Sequence, residues 1–303
     1  MRYLNHTMIV LALFAASCEK TVTVNPPAHE SRVVATSSTT TGDRFFFSLT
    51  KTVPVLSYSS NKDYSIKDAA ILLKESGQII DTLYFDANAG GYTSGTRAEQ
   101  GKTYEVVVNA PGLPAVSAVA TAPAPVAIKA LTRLKEVQMN KDGMVQDEIR
   151  ISFDDPVAAG DYYIVKVFAA SPLTDSFKMP AGCVNSHDPS IESWESEGFE
   201  PYDCLNGDAI FLRDQLFNGA TKELRLFVSS YSLLPWEDTA GNISYPYIEL
   251  YHVSEDYFKY LKSYHFAAAN NGNPFAEPTN VHTNVRGGYG VFSIESRDRK
   301  EIK

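Results

Sequence analysis

The strongest constraint on this chain is a period of two. From Arg32 onward, short runs of alternating or continuously apolar residues are broken by turn residues before a helix could complete itself. Arg32–Ala35, Arg44–Leu49, Ala69–Leu73 and Ile79–Phe85 are such runs, punctuated by Thr41-Gly42-Asp43, Ser76-Gly77 and Asn88-Ala89-Gly90-Gly91. Gly101–Val108 and Ala115–Thr121 add two more. Successive side chains of a strand point to opposite faces, so the alternation gives each strand a buried face and a wet one. Strands this short, with nothing helical between them, predict an immunoglobulin-like or transthyretin-like β-sandwich over residues 31–125. The prolines of Ala122-Pro123-Ala124-Pro125 mark its end.

The same pattern resumes in Ile128–Leu131, Glu148–Phe153, Tyr162–Phe168, Glu223–Val228 and Tyr247–Val253. Residues 126–303 therefore read as a second β-rich domain, in line with the two domains that 303 residues suggest. Tyr (17) and Phe (16) far outnumber Trp (2), which also favours strands. One segment is helical in pattern. Ser254 caps it, Glu255 and Asp256 suit the positive end of the helix dipole, and Tyr257, Leu261, Tyr264 and Ala268 fall at helical spacing. Asn271-Gly272 and Pro274 stop it. The expected fold class is mainly β, with one C-terminal helix packed on a sheet by its aromatic stripe. Ser171 to Asp208 is polar and longer than an ordinary connection, which makes it the first candidate for an exposed partner contact.

The amino terminus reads as a processing signal. Arg2 precedes the apolar run Met8–Ala16, and a helix needs about 20 apolar residues to span a bilayer. A basic start, a short apolar core and small residues describe an export signal over residues 1–17. Ala15-Ala16-Ser17-Cys18 resembles the bacterial lipobox, which makes Cys18 the lipidated residue; the alternative is an ordinary secretory signal with a chance cysteine. Residues 18–30, with Pro26-Pro27, read as a tether. Of three cysteines, Cys183 and Cys204 then remain. An exported chain can keep them oxidised, and the closed loop would contribute about 3 kcal/mol; the alternative is two free thiols.

Signatures of chemistry are scarce. The sequence contains no nucleophile elbow, phosphate-binding loop, zinc-protease histidine pair or dinucleotide fingerprint, and no two of its histidines beyond the signal have metal-ligand spacing. Arg286-Gly287-Gly288-Tyr289-Gly290 precedes a strand-like run, not the helix that a phosphate cradle needs, and reads as a turn or bulge. Asp188, Glu192 and Glu195, with further acids to Asp208, offer hard oxygens of the kind calcium takes, though such charges usually form a solvated face. The expectation is no catalytic residue, no metal and no cofactor. Asp81-Thr82-Leu83 and Asp238-Thr239-Ala240 resemble short O-glycosylation acceptors of exported proteins. A net charge of -9 without a basic run gives no electrostatic reason to bind nucleic acid.

Both ends of the mature chain that the signal implies resemble one family. Cys18-Glu19-Lys20 with its proline-containing tether, Gly91–Ser94 followed by Gly101–Tyr104, and Ser254–Leu261 carry the likeness. So do Asn273–Pro278, Asn284 and Gly287–Phe292. They resemble a Bacteroidota outer-membrane lipoprotein family of unknown function, whose members are typically encoded beside TonB-dependent transporters. Thr283 stands where that family more often has Ser. The resemblance implies a lipid-anchored, non-catalytic accessory that binds or presents a small nutrient to a TonB-dependent transporter, on either face of the outer membrane. Two other readings stand beside it: a structural or adhesive β-sandwich subunit of the cell surface, and a hydrolase using the acidic loop.

Overall fold

Alternation in sequence becomes alternation in burial. In β1 (Val33–Thr40), Val33, Ala35, Ser37 and Thr39 turn inward, and in β2 (Arg44–Lys51), Phe45, Phe47 and Leu49 do so. The computed structural model describes residues 28–171, 178–192, 209–269 and 279–303. Ser31–Lys303 form one unit, distinct from Met1–Glu30. The chain is mainly β, as its periodicity predicts, with one helix near the C-terminus among the described residues. No helix among them is long and apolar enough to cross a membrane.

After β2 come β3 (Ala70–Glu75), β4 (Gln78–Asp86), β5 (Gly91–Arg97), β6 (Thr103–Asn109) and β7 (Val116–Thr121). The rest of the chain forms β8 (Ile128–Met139), β9 (Val145–Asp154), β10 (Tyr162–Phe168), β11 (Val184–Asn185), β12 (Ala209–Arg213) and β13 (Thr221–Ser229). It finishes with β14 (Trp236–Glu237), β15 (Ile243–Ser244), β16 (Tyr247–Val253), helix α1 (Glu255–Ala269) and β17 (Tyr289–Glu301). Eleven strands hydrogen-bond in the order β12-β10-β16-β17-β1-β2-β5-β4-β3-β6-β7, and a second sheet has the order β11-β13-β9-β8. The β7 end of the long sheet curls back: Ser117 and Arg286, just ahead of β17, exchange backbone hydrogen bonds of 3.2 and 2.7 Å.

Two cores result. One gathers Phe45, Phe47, Ile71, Leu73, Tyr92 and Tyr104 inside the curled part, with the Phe45 and Tyr104 rings edge to face at 4.9 Å. The other lies between the second sheet and the β10–β16 part of the first, around Ile149, Phe153, Tyr163, Leu226 and Leu250. Only half of the predicted stripe of α1 packs on the sheet: Tyr257 and Leu261 are partly buried there, Tyr264 is exposed, and the buried anchor is Phe258, which meets Tyr162 at 5.0 Å and Phe211 at 5.7 Å. Ser254 caps the helix, its hydroxyl accepting the Tyr257 N–H at 3.3 Å.

β17 belongs to both cores. Tyr289 to Glu295 pair in parallel with β1, and Ser296 to Glu301 pair antiparallel with β16. Phe292 and Ile294 enter the first core and Ile302 the second. The handover falls at Glu295, which is buried and accepts the Ser38 hydroxyl at 3.0 Å and the Thr40 hydroxyl at 3.3 Å. Burial raises its pKa, with those hydroxyls and the charges of Lys166 and Arg297 pulling the other way. A carboxyl raised in the fold binds its proton more tightly there than in the unfolded chain. The stability this gives is complete below the ordinary glutamate range of about 4 and is lost as pH rises through the raised value. Melting curves of the protein and of Glu295→Gln should therefore lie closest in acid and separate towards neutral pH, with the variant the more stable. Separation in acid and convergence at neutral pH would reverse the assignment.

Candidate functional site

Of the residues singled out in the sequence, Cys18, Glu195 and Cys204 lie outside the described residues. Cys183 is disulfide-bonded. Asp188 and Glu192 do not face solvent as free ligands. Both oxygens of Asp188 accept the Lys222 ammonium at 2.7 Å, and its Oδ1 also accepts the Ser190 N–H at 2.9 Å. Glu192 accepts Lys262 and the Arg213 Nε, each at 2.7 Å. Burial pushes both carboxyls up, yet the paired cations hold each below the usual range. A calcium ion would have to displace three side-chain cations, so these acids act as anchors. They fasten their segment to β12, β13 and α1. Of the two acceptor-like triplets, Thr82 is half-buried within β4, whereas Thr239 is exposed in the turn between β14 and β15.

Local sequence gave no sign of the buried cluster near the meeting of the two halves. Asp155, Asp161 and Asp214 bring carboxylate oxygens within 4.8 Å of one another. Asp155 follows β9, Asp161 precedes β10 and Asp214 follows β12, so only tertiary structure joins them. Asp155 accepts the Tyr163 hydroxyl at 2.5 Å and the Gly219 N–H at 2.8 Å. Asp214 accepts the N–H groups of Gly160 and Asp161 at 2.7 and 3.1 Å. Asp161 Oδ1 meets His252 Nε2 at 2.8 Å, and the other ring nitrogen donates to the Ala124 carbonyl at 2.8 Å. That carbonyl belongs to the proline-rich connection between the halves and also accepts the Ser296 hydroxyl at 2.9 Å. Asp161 Oδ2 is buried with no donor. Burial raises the Asp161 pKa, the His252 charge lowers it, and Asp155 and Asp214 raise it again, for a net upward shift. A proton held at Asp161 relieves the repulsion between carboxylates this close. The cluster joins β9, β10, β12 and β16 to the connection, and each of its donors comes from the protein itself, leaving only Asp161 Oδ2 without one.

The far end of the second sheet is different: exposed apolar side chains stand out there among the charges of Lys135, Glu136, Lys141 and Asp142. β8 and β9 form a hairpin whose outer part exposes Leu134, Val137, Met139 and Met144. The chain leaving β13 makes a short turn of helix at Ser230–Leu233, from which Tyr231 and Leu234 project, Tyr231 being 83% exposed. Trp236 and Ile243 follow in the β14–β15 hairpin. One buried hub organises this end. Asp147 accepts Arg133 Nε at 2.7 Å, the Glu136 N–H at 2.8 Å and the Ser230 hydroxyl, while Arg133 also donates to the Leu233 carbonyl at 2.9 Å. Burial pushes the Asp147 carboxyl up, but these donors hold it below the usual range. Its N–H bond steadies Glu136, whose φ of 55° lies in the left-handed region where β8 bulges. The apolar side chains thus stand on a fixed frame, and exposed apolar groups concentrated in one place mark interaction surfaces.

A family model described as a domain of unknown function (DUF4249) matches residues 19–301. The chain belongs to that family. No curated protein matches the sequence. Among solved structures, the BSP domain of a biofilm associated protein aligns over 78% of this chain and 57% of its own, at 11% identity and a TM-score of 0.17. The chain thus spans little more than half of that protein, and a likeness so slight carries no argument.

In this DUF4249 chain the residues around β17 serve architecture. The Asn284 side chain acts as a short piece of strand: its Nδ2 donates to the Phe292 carbonyl at 2.8 Å and its Oδ1 accepts the Phe292 N–H at 3.0 Å. A Cβ on Gly288 would fall 2.4 Å from the Val33 carbonyl oxygen, so β1 can approach only a glycine there. Beside this segment, Val119, Asp256, Thr283, Asn284, Val285 and Arg286 line an open cleft of about 460 Å³, with Asp256 held by His282 Nε2 at 2.8 Å.

Proposed function

We propose that this protein is a lipid-anchored, non-catalytic binding module of the outer membrane, serving a TonB-dependent transporter by capturing or presenting a nutrient ligand. The observation that supports the reading is the apolar end of the second sheet, which lies opposite the point where the chain from Cys18 enters the fold. Arg32 stands beside the start of β1, whose partner Tyr289 begins β17. β17 then runs 13 residues, about 40 Å at roughly 3.3 Å per residue, before its last residue pairs with Tyr247 near the apolar end. A module tethered at one end keeps the other free to engage a neighbour, and tethering raises its effective concentration there. This reading moves the partner contact from the Ser171–Asp208 stretch to Tyr231, Leu234 and the β8–β9 hairpin.

Tyr231→Ala combined with Leu234→Ala tests it. Both side chains are exposed, so thermal unfolding should hardly change. Recovery of the transporter with the tagged protein, from native membranes in mild detergent, should fall about tenfold, equal to roughly 1.4 kcal/mol. Undiminished recovery would remove the contact from this end. The anchor is tested separately by Cys18→Ala, which should abolish fatty-acid labelling and release the protein from membranes.

A further inference from the structure

At the opposite end of the fold, the connection between β2 and β3 begins with an uncharged stretch. No charged residue lies between Lys51 and Lys62, in a chain that is 21% charged. Val55, Leu56 and Tyr58 project from it, 76%, 74% and 64% exposed. Their exposure is built in, not frayed. Val55–Ser57 form a single helical turn behind Pro54, and the Tyr58 ring stacks on Tyr64 at 5.8 Å. The Tyr64 hydroxyl accepts the Ser59 N–H at 2.9 Å and donates to the Ser57 carbonyl at 3.4 Å. The base is fixed to the first core: Ile66 is buried, its N–H donates to the Leu49 carbonyl at 2.9 Å, and the Lys51 N–H donates to the Tyr64 carbonyl at 3.1 Å.

The loop also sits where the chain enters. The Thr52 N–H donates to the Arg32 carbonyl at 2.9 Å, and the Arg32 N–H donates to the Thr52 hydroxyl at 3.0 Å. Val55 is three residues beyond that rung. Glu19 to Ser31 reach at most about 45 Å when fully extended, so a lipid on Cys18 keeps this end of the fold within that distance of the bilayer. Aliphatic tips, a tyrosine and flanking lysines are the residue types that suit a membrane interface, where apolar groups enter the acyl boundary and ammonium groups stay at the headgroups. A lone lipid tether leaves a protein free to tumble; a second contact near its base would fix its orientation.

We infer that Val55, Leu56 and Tyr58 form a lipid-inserting loop, a second contact with the bilayer that holds Cys18 and points the apolar far end away from it. The inference rests on the lipid-anchor reading but not on the transporter. The test uses the full acylated protein reconstituted in vesicles of phosphatidylethanolamine and phosphatidylglycerol. An environment-sensitive fluorophore is attached through Leu56→Cys or, as the far-end reference, Tyr231→Cys, with the unsubstituted protein labelled in parallel as background. Both sites are exposed, so neither substitution should disturb folding. A nitroxide carried shallowly on the lipid should quench the label at position 56 several-fold and leave that at 231 unchanged. Vesicle-bound protein with neither label quenched would overturn the loop contact and leave the anchor standing. Equal quenching at both would show a molecule lying flat and overturn the orientation. Protein that fails to float with the vesicles would overturn both the anchor and the inference built on it.

Discussion

Gly290→Ala should be the most damaging single methyl addition at any glycine among the described residues. Gly290 has φ of 102°, where an L side chain is strained by about 1–3 kcal/mol. A Cβ there would also lie 2.0 Å from the carbonyl oxygen of Ala35 and 2.7 Å from its carbonyl carbon. Those are backbone atoms of β1, paired in register with Gly290, so no rotamer change can relieve the clash. Either β17 leaves β1 or the curled sheet opens, and forcing extra volume into packed structure costs a further 1–3 kcal/mol or so. Gly143→Ala separates the two effects. Gly143 has a comparable φ of 76°, in the β8–β9 turn, with nothing within 4 Å of a Cβ. It should lose only the backbone share, about 1 kcal/mol. Denaturant titration of both variants gives the comparison. Equal losses would show that β1 yields and that the close approach is not a constraint.

Arg133→Ala should come next, at about 3–5 kcal/mol. The Arg133 and Asp147 side chains are 8% and 1% exposed, and the substitution strands a buried carboxylate. The loss has a pH signature. Asp147 is held below the usual range, so its native contacts favour the fold above the ordinary aspartate range of about 4 and lose that contribution as pH falls through the lowered value. Without Arg133 the carboxyl rises, and the deficit relative to the parent should be greatest near neutral pH and shrink in acid. Arg133→Leu with Asp147→Leu, which removes both charges together, should recover much of the loss. A single variant as stable as the parent would mean that the Ser230 hydroxyl and the Glu136 N–H suffice for Asp147. The far end is also expected to loosen, because the same guanidinium holds the Leu233 carbonyl beneath Tyr231 and Leu234.

Much of the fold was legible locally and much of its closure was not. The alternation of Val33 to Leu49 gave β1 and β2 their inward residues, and the spacing from Ser254 gave the helix α1 and two of its packed residues, Tyr257 and Leu261, but missed Phe258, because one-sided burial imposes a period that four residues sample only coarsely. β17 shows where that signal stops. Val291 to Ser296 are buried on both faces, so the run carries no alternation, and nothing in it names β1 and β16 as its neighbours. Val145-Gln146-Asp147-Glu148 reads as a polar strand end, yet Asp147 is a buried hub, since its cation lies across a hairpin and its hydroxyl partner in another element. The Asp155–Asp161–Asp214 cluster stayed hidden for the same reason: three unremarkable acids acquire chemistry only when β9, β10 and the residue after β12 converge. Asp188 and Glu192 looked like ligands because their counter-ions, Lys222, Arg213 and Lys262, all lie later in the chain.

The shared strand also sets a timetable. Ser38 and Glu295 touch across 257 positions of sequence, so β1 waits for its parallel neighbour until nearly the whole chain has emerged. Contacts this distant are slow to form, because the entropy of closing a long loop is lost before the pairing repays it. A nascent chain lacking residues 289–301 has its curled sheet open beside β1 and β16 without an edge partner. Premature compaction of either half is thereby disfavoured until the segment that closes both cores is present. Late arrival of one strand would thus act as a release signal written into topology, committing two halves to their final form in a single event.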